Sequence, residues 1–168
     1  KEKKPQPKLK SEVEPIRKTK IRVIGIGGGA GNIVSEIASR ISRASFAAAN
    51  TDAQALRTLN KNVLRFQFGQ NLTQGLGTGM NQELAETAAQ QEKERIKKLF
   101  QDQDLCVIVA SLGGGTGSGA APVFAKIAKS AGLLTLGVFT LPFRFEGERK
   151  MEIARESLQK LKPDLNAI

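Results

Sequence analysis

Two glycine-rich stretches carry the residue types and spacing that could do chemistry. Gly113-Gly114-Gly115-Thr116-Gly117-Ser118-Gly119 follows, after Ser111-Leu112, on the apolar run Leu105-Cys106-Val107-Ile108-Val109-Ala110. A buried strand therefore ends where nearly bare backbone begins. Five glycines in seven residues remove the side chains that would hold a ligand away from main-chain N–H groups, and they permit positive φ. The pattern that follows predicts a helix over 120–130, whose N-terminus aims free amides and the positive end of its dipole at the same spot. Such a loop is an anion site, and phosphate is the expected anion. A bare turn needs one or two glycines, not five. Gly27-Gly28-Gly29-Ala30-Gly31-Asn32 repeats the device after the β-branched run Ile21-Arg22-Val23-Ile24-Gly25-Ile26.

Composition narrows the chemistry. With no His and a single Cys in 168 residues, Ser-His-Asp and Cys-His catalysis and Cys/His zinc sites are excluded. Cys106 lies in an apolar strand and reads as an inert small hydrophobe, which fits a reducing cytoplasm. No apolar run approaches the roughly 18 residues needed to span a bilayer, and the start lacks a signal-peptide core. A soluble, cytosolic protein is expected. Because the sequence opens on Lys1 rather than Met, it is expected to be a piece of a longer chain. Half of the net charge of +10 falls in residues 1–20, a Pro/Lys-rich tail expected to be disordered and solvated, with no specific nucleic-acid contact.

The elements that must position the glycine loops follow from periodicity. Ile33, Ile37 and Ile41, with Val34 and Ala38 beside them, predict a helix packed on a sheet. Phe46-Ala47-Ala48-Ala49 reads as a second strand, and Asp52 is placed to cap a short helix over 53–59. Val63–Phe68 alternates and reads as a third strand nearer an edge. A long glycine-bearing loop over 69–79 precedes a long helix over 81–100, with Glu94 and Lys98 as a surface pair. A fifth strand over 133–140 leads into Leu141-Pro142-Phe143-Arg144-Phe145-Glu146-Gly147, a loop that offers one carboxylate between aromatic rings. Met151, Ala154, Leu158 and Leu161 mark a last amphipathic helix that Pro163 stops. Pro122 is expected in the first turn of its helix, where the missing N–H is harmless.

This alternation predicts an α/β fold: a Rossmann-like three-layer sandwich with a mostly parallel sheet in the order 3-2-1-4-5. Strands one and four then lie side by side at the switch point, where ligands bind beyond the strands' carboxyl ends. Both glycine loops converge there, as a di- or triphosphate would require. Gly25-Ile26-Gly27-Gly28-Gly29-Ala30 also reads as a dinucleotide fingerprint with Asp52 on a ribose, which gives an alternative NAD(P)-binding oxidoreductase domain. That reading leaves the second glycine loop without a task. A P-loop NTPase needs a Lys in the loop, and neither loop has one.

Gly113-Gly114-Gly115-Thr116-Gly117-Ser118-Gly119 resembles the signature loop of the tubulin/FtsZ superfamily. The resemblance extends over residues 21–168 through Gly27-Gly28-Gly29-Ala30-Gly31-Asn32, Asn50-Thr51-Asp52-Ala53-Gln54-Ala55-Leu56, Gly75-Leu76-Gly77-Thr78-Gly79 and Pro142-Phe143-Arg144-Phe145-Glu146-Gly147. The first loop and the Asn-Thr-Asp segment are similar to the FtsZ branch rather than to tubulin. The resemblance implies an N-terminal GTP-binding domain of a cell-division GTPase that polymerises head to tail into the division ring, in the cytoplasm at the division site. It implies phosphate contacts from the amides of Gly28, Gly29, Ala30, Gly31 and Asn32 and of Gly113, Gly114, Gly115, Thr116 and Gly117, with the Thr116 hydroxyl as a further donor. It also implies γ-phosphate sensing by Thr78 and Gly79, ribose contacts by Glu146, and Lys150 near the nucleotide where the family usually has Arg. GTP or GDP with Mg²⁺ is the implied ligand. Ala30 stands for a customary Gly and Gln82 for a frequent Pro. The family's central helix, its water-positioning acidic loop and its C-terminal domain would lie after Ile168. No catalytic residue is therefore expected within these residues, and other division-ring proteins, and the membrane indirectly, would be met through those later regions.

Overall fold

Ile21–Ile26 (β1), Ser45–Asn50 (β2), Val63–Gln67 (β3), Leu105–Ser111 (β4) and Leu134–Thr140 (β5) are the strands of the computed structural model, which describes residues 17–168. All pair in parallel, in the expected order β3-β2-β1-β4-β5. Central strands of such sheets are covered on both faces and so read as unbroken apolar runs. Ile24, flanked by Ala47 and Ile108 and wholly buried, is the pattern in one residue. At the β3 edge the covering thins, and Leu64 is 49% exposed. Beyond β5, Asn166 donates to the Thr135 carbonyl at 2.8 Å and Gly137 to the Ala167 carbonyl at 2.9 Å, so the chain's last residues run beside β5.

Helices Gly28–Ile37 (α1) and Ala53–Arg57 (α2) cover one face, where Val34, Leu56 and Leu59 pack on Phe46, Val63 and Val109. The other face carries Gln82–Gln91 (α4), Lys93–Lys98 (α5), Gly115–Ser130 (α6) and Glu148–Leu161 (α7), with the short helix Gln70–Thr73 (α3) in the loop before them. Phe124 of α6 anchors that core, its ring centroid 5.7 Å from Phe68 and 6.4 Å from Phe100 in edge-on contacts.

Several boundaries differ from expectation for physical reasons. α1 stops at Ile37, and Ile33 and Ile41 are 38% and 47% exposed, so Ala30, Gly31, Val34 and Ala38 make the buried stripe instead. The helix expected over 81–100 breaks at Glu92, whose carboxylate accepts from the Gly69 amide at 2.7 Å and pairs with Arg95. The expected Glu94–Lys98 pair is not among the ion pairs of the described residues. In α7 the buried residues are Ile153, Ala154, Ser157 and Leu161, while Met151 is half-buried. Of the tail expected over residues 1–20, residues 1–16 lie outside the described residues. Lys20 donates its amide to Asp104 at 2.8 Å, and Arg17 pairs with the same carboxylate.

The largest departure concerns α6. It starts at Gly115, so five of the seven residues of the glycine motif are helix rather than loop. Gly119 is there for packing: a Cβ at that position would collide with the Gln82 carbonyl and crowd Ala85 of α4. Pro122 accordingly lies in the helix interior and not its first turn. A proline there leaves the carbonyl four residues back without its helical donor. The Ser157 hydroxyl of α7 fills that gap, donating to the Ser118 carbonyl at 2.7 Å in a buried contact.

Candidate functional site

β1 and β4 end side by side, and each feeds a helix through glycine. Gly27 (φ +87°) turns β1 into α1, and Gly113 (φ +102°) with Gly114 turns β4 into α6. The two turns touch: a Cβ on Gly27 would stand 3.0 Å from the Gly117 amide nitrogen. The N-termini of both helices therefore open onto one cleft of about 480 Å³ at the switch point. First-turn amides have no intrahelical acceptor, and the dipoles add positive potential there.

The glycines divide into two kinds. Gly28 and Gly114 have nothing within 4 Å of where a Cβ would sit, and both line the cleft. Their bareness leaves room for a ligand. Gly115 is closed over by Thr78 Oγ1 and the Asn81 amide, and Gly117 by the Ser111 carbonyl at 2.7 Å. Gly113 combines positive φ with close approach to Pro142 at 2.5 Å, and its amide donates to Ser118 Oγ at 2.8 Å. Its N–H is thus already taken.

Of the residues singled out from the sequence, Gly28, Gly29, Thr78, Gly79, Gly113, Gly114, Gly115, Thr116, Gly117, Glu146 and Lys150 line the cleft. Ala30, Gly31 and Asn32 do not. Ala30 and Gly31 are buried toward the sheet, the Gly31 amide is bonded to the Gly27 carbonyl at 2.9 Å, and Asn32 lies exposed outside the lining. Gly28, Gly29 and Ala30 are the first-turn residues of α1, whose amides precede that first helical bond.

Three hydroxyls bind the site's walls together. Thr116 Oγ1 lies 3.1 Å from Thr51 Oγ1 and 3.3 Å from Thr78 Oγ1, joining the end of β2, the start of α6 and the loop over 74–81. Thr51, wholly buried, was visible in the sequence only as the middle of Asn50-Thr51-Asp52. Asp52 caps α2 as expected, its Oδ1 accepting from Gln54 and Ala55 amides at 2.8 and 3.0 Å.

The cleft's rim is polar. Glu146 ends the 3₁₀ turn Arg144–Glu146 and accepts from the Phe143 amide and from Lys150 Nζ, both at 3.0 Å. The Phe143 amide first, and then the Lys150 ammonium, hold its carboxyl below the usual glutamate range. Asp52 and Glu146 are the carboxylates of the lining, and Lys150 is its cation. Among the described residues no cluster of three His, Cys, Asp or Glu forms a metal cage, and no helix is long and apolar enough to cross a membrane.

Comparison with known proteins decides the family. The model of the Tubulin/FtsZ family, GTPase domain, matches residues 20–168. The chain belongs to the tubulin/FtsZ family. Within it, the chain is 48% identical to the cell division protein FtsZ of Aquifex aeolicus over 155 residues, which covers 92% of this chain and 42% of that protein. It is 43% identical to the FtsZ of Buchnera aphidicola subsp. Schizaphis graminum over 157 residues, covering 93% and 41%. An empty FtsZ dimer from M. jannaschii superposes with a TM-score of 0.86 at 42% identity, covering 90% of this chain and 45% of that one. A GTPγS-bound protofilament of CetZ2 from Haloferax volcanii superposes at 0.77 and 27% identity, covering 88% and 47%. The chain spans less than half the length of these relatives. The family match gives no support to the alternative NAD(P)-binding reading, and Asp52 Oδ1, in the residue which that reading needs on a ribose, caps α2.

Proposed function

We propose that this domain binds GTP and GDP in the cleft between β1 and β4 and serves a GTP-hydrolysing cytoskeletal protein. In this reading the protein polymerises head to tail into the division ring, in the cytoplasm at the division site. Other division-ring proteins and the membrane are met through C-terminal regions of the longer family members. The observation that carries the reading is the convergence of two helix N-termini on one cleft, with open space beside Gly28 and Gly114.

Phosphate oxygens would accept from first-turn amides of Gly28, Gly29 and Ala30 on α1 and of Gly115, Thr116 and Gly117 on α6, with Gly114 between them. Thr78 and Gly79 border the same space, and the contact of Thr78 with Thr116 gives their loop a way to register a terminal phosphate. Glu146 would accept from ribose hydroxyls while the Phe143 amide and then Lys150, 3.0 Å away, favour its ionised carboxylate. A Mg²⁺ ion fits here only as a phosphate-bound, largely hydrated ion, as is usual for this metal in nucleotide sites, because the described residues offer it no cage. Bound so, it would offset charge on the phosphates.

Neither carboxylate of the cleft is suited to activate water: Asp52 Oδ1 is held by two amides, and the lowered pKa of Glu146 makes it a poor base. Hydrolysis is assigned to acidic residues of an adjacent subunit in the polymer, so the 168-residue chain alone is expected to turn GTP over very slowly. Phosphate release under saturating GTP measures this. Robust turnover by the chain alone would overturn it.

A further inference from the structure

Thr78 and Gly79, which border the nucleotide cleft, lie in a strained loop. On either side of them Gln74 and Met80 stand at φ +53° and +68°. Residues other than glycine take that conformation at a cost and keep it only where their surroundings hold it. Three ties hold this loop to other elements. Thr78 meets Thr116 inside the cleft, and the Gly75 carbonyl accepts from the Ala53 amide at 3.0 Å. The third tie is at the loop's start, where the Gly69 amide donates to Glu92 Oε1 at 2.7 Å. Among the described residues, this is the tie made by a side chain outside the cleft lining.

The Glu92 carboxylate is itself fixed in place. Its side chain is 20% exposed, and its other oxygen pairs with Arg95, which also donates to the Gln67 carbonyl at 3.3 Å and lies 4.9 Å over the Phe66 ring. Gly69 packs so closely on α4 that a Cβ there would stand 2.6 Å from that of Ala88. From Gly69 the hold is passed along the loop. Its carbonyl accepts from the Leu72 and Thr73 amides at 3.0 and 2.9 Å, starting α3, and the Thr73 carbonyl accepts from the Leu76 amide at 3.0 Å. Two residues further on is Thr78, whose carbonyl accepts from the Asn81 amide at 2.9 Å. Asn81 caps α4, and α4 runs back to Glu92. Residues 69–92 thus form a closed unit, clasped at Glu92 and touching the cleft at Thr78.

We propose that Glu92 is a positioning residue for the terminal phosphate. By clasping Gly69 it keeps the strained loop in the form that sets Thr78 and Gly79 at the cleft, which, granted the GTP and GDP site proposed above, favours the triphosphate over the diphosphate. A clasp that favours the triphosphate is favoured by it to the same degree. In the 168-residue chain, hydrogen exchange at the Gly69 amide is therefore expected to be about fivefold or more slower with saturating GTPγS than with saturating GDP. Equal exchange with the two nucleotides overturns the proposal, and this comparison needs no substitution that could unfold the chain. Glu92→Ala should lower the ratio of GTPγS to GDP affinity by about the same factor, chiefly by weakening GTPγS. Glu92→Gln keeps an oxygen that can accept from Gly69 and should restore most of the ratio. An Ala variant that melts lower or binds both nucleotides less well, with the ratio unchanged, shows a carboxylate that only supports the fold and also overturns the proposal. Failure of the unsubstituted chain to bind either nucleotide overturns the reading of the cleft itself, and the role of Glu92 with it.

Discussion

A glycine that makes room for a ligand and a glycine that makes room for a helix give opposite results on substitution. Gly114 is extended at φ −98° and faces open space, so Gly114→Ala should leave stability within about 0.5 kcal/mol while its methyl intrudes on the phosphate cleft. Gly119→Ala drives a methyl into the Gln82 carbonyl and should cost roughly 1–3 kcal/mol or more by overpacking α4 against α6. Thermal melts and nucleotide titrations of the pair separate the roles, and equal effects of both on stability would contradict the assignment. Glu146 makes a second residue-scale prediction. Its carboxyl is held below the ordinary glutamate range, so its ties to Phe143 and Lys150 are fully present above that range and are lost as pH falls through the lowered pKa. The Phe143 amide resonance should therefore stay constant from neutral pH down past the ordinary glutamate range and shift only in more acid solution. Titration at the ordinary glutamate value would contradict the hydrogen bond, and Glu146→Gln should abolish the response.

Between elements, the junction of α6 with α7 is the distinctive contact. Pro122 removes the helical donor to the Ser118 carbonyl, Ser157 replaces it, and the Ser118 hydroxyl in turn holds the Gly113 amide at the cleft. Ser157→Ala leaves that buried carbonyl unpaired and should destabilise by about 1–3 kcal/mol. Pro122→Ala restores a backbone N–H, so the double substitution should recover much of the loss. A denaturation double-mutant cycle with no coupling would contradict this account. The same elements show what is legible in a sequence. β1, β4 and their glycine turns are evident because β-branched runs end abruptly in residues that only a turn or close approach requires. The start of α6 at Gly115 is not, because glycine is a poor helix former and only the packing of Gly115 and Gly119 against Thr78 and α4 makes it helical. The break at Glu92 is hidden for a similar reason: its cause, the Gly69 amide, is 23 residues away. The Thr51–Thr116–Thr78 contact likewise joins three loops that no local pattern relates.

At the scale of the whole molecule, the parallel order β3-β2-β1-β4-β5 does the positioning. It brings together at the cleft β1 and β4, adjacent strands whose helices depart to opposite faces, and both helix dipoles then act on one ligand. Strand order was readable from the alternation of elements, and so was the convergence of the glycine loops. Preference for a base was not, since no residue of the cleft has a side chain committed to one by its contacts. The central claim is therefore tested most directly by calorimetric titration of the chain with GTP, GDP, ATP and NAD in the presence of Mg²⁺. Saturable binding of GTP and GDP, weak in absolute terms yet about tenfold or more tighter than NAD, is the predicted result. Binding of NAD in preference to the guanine nucleotides, or no saturable binding of any of them, would contradict the account.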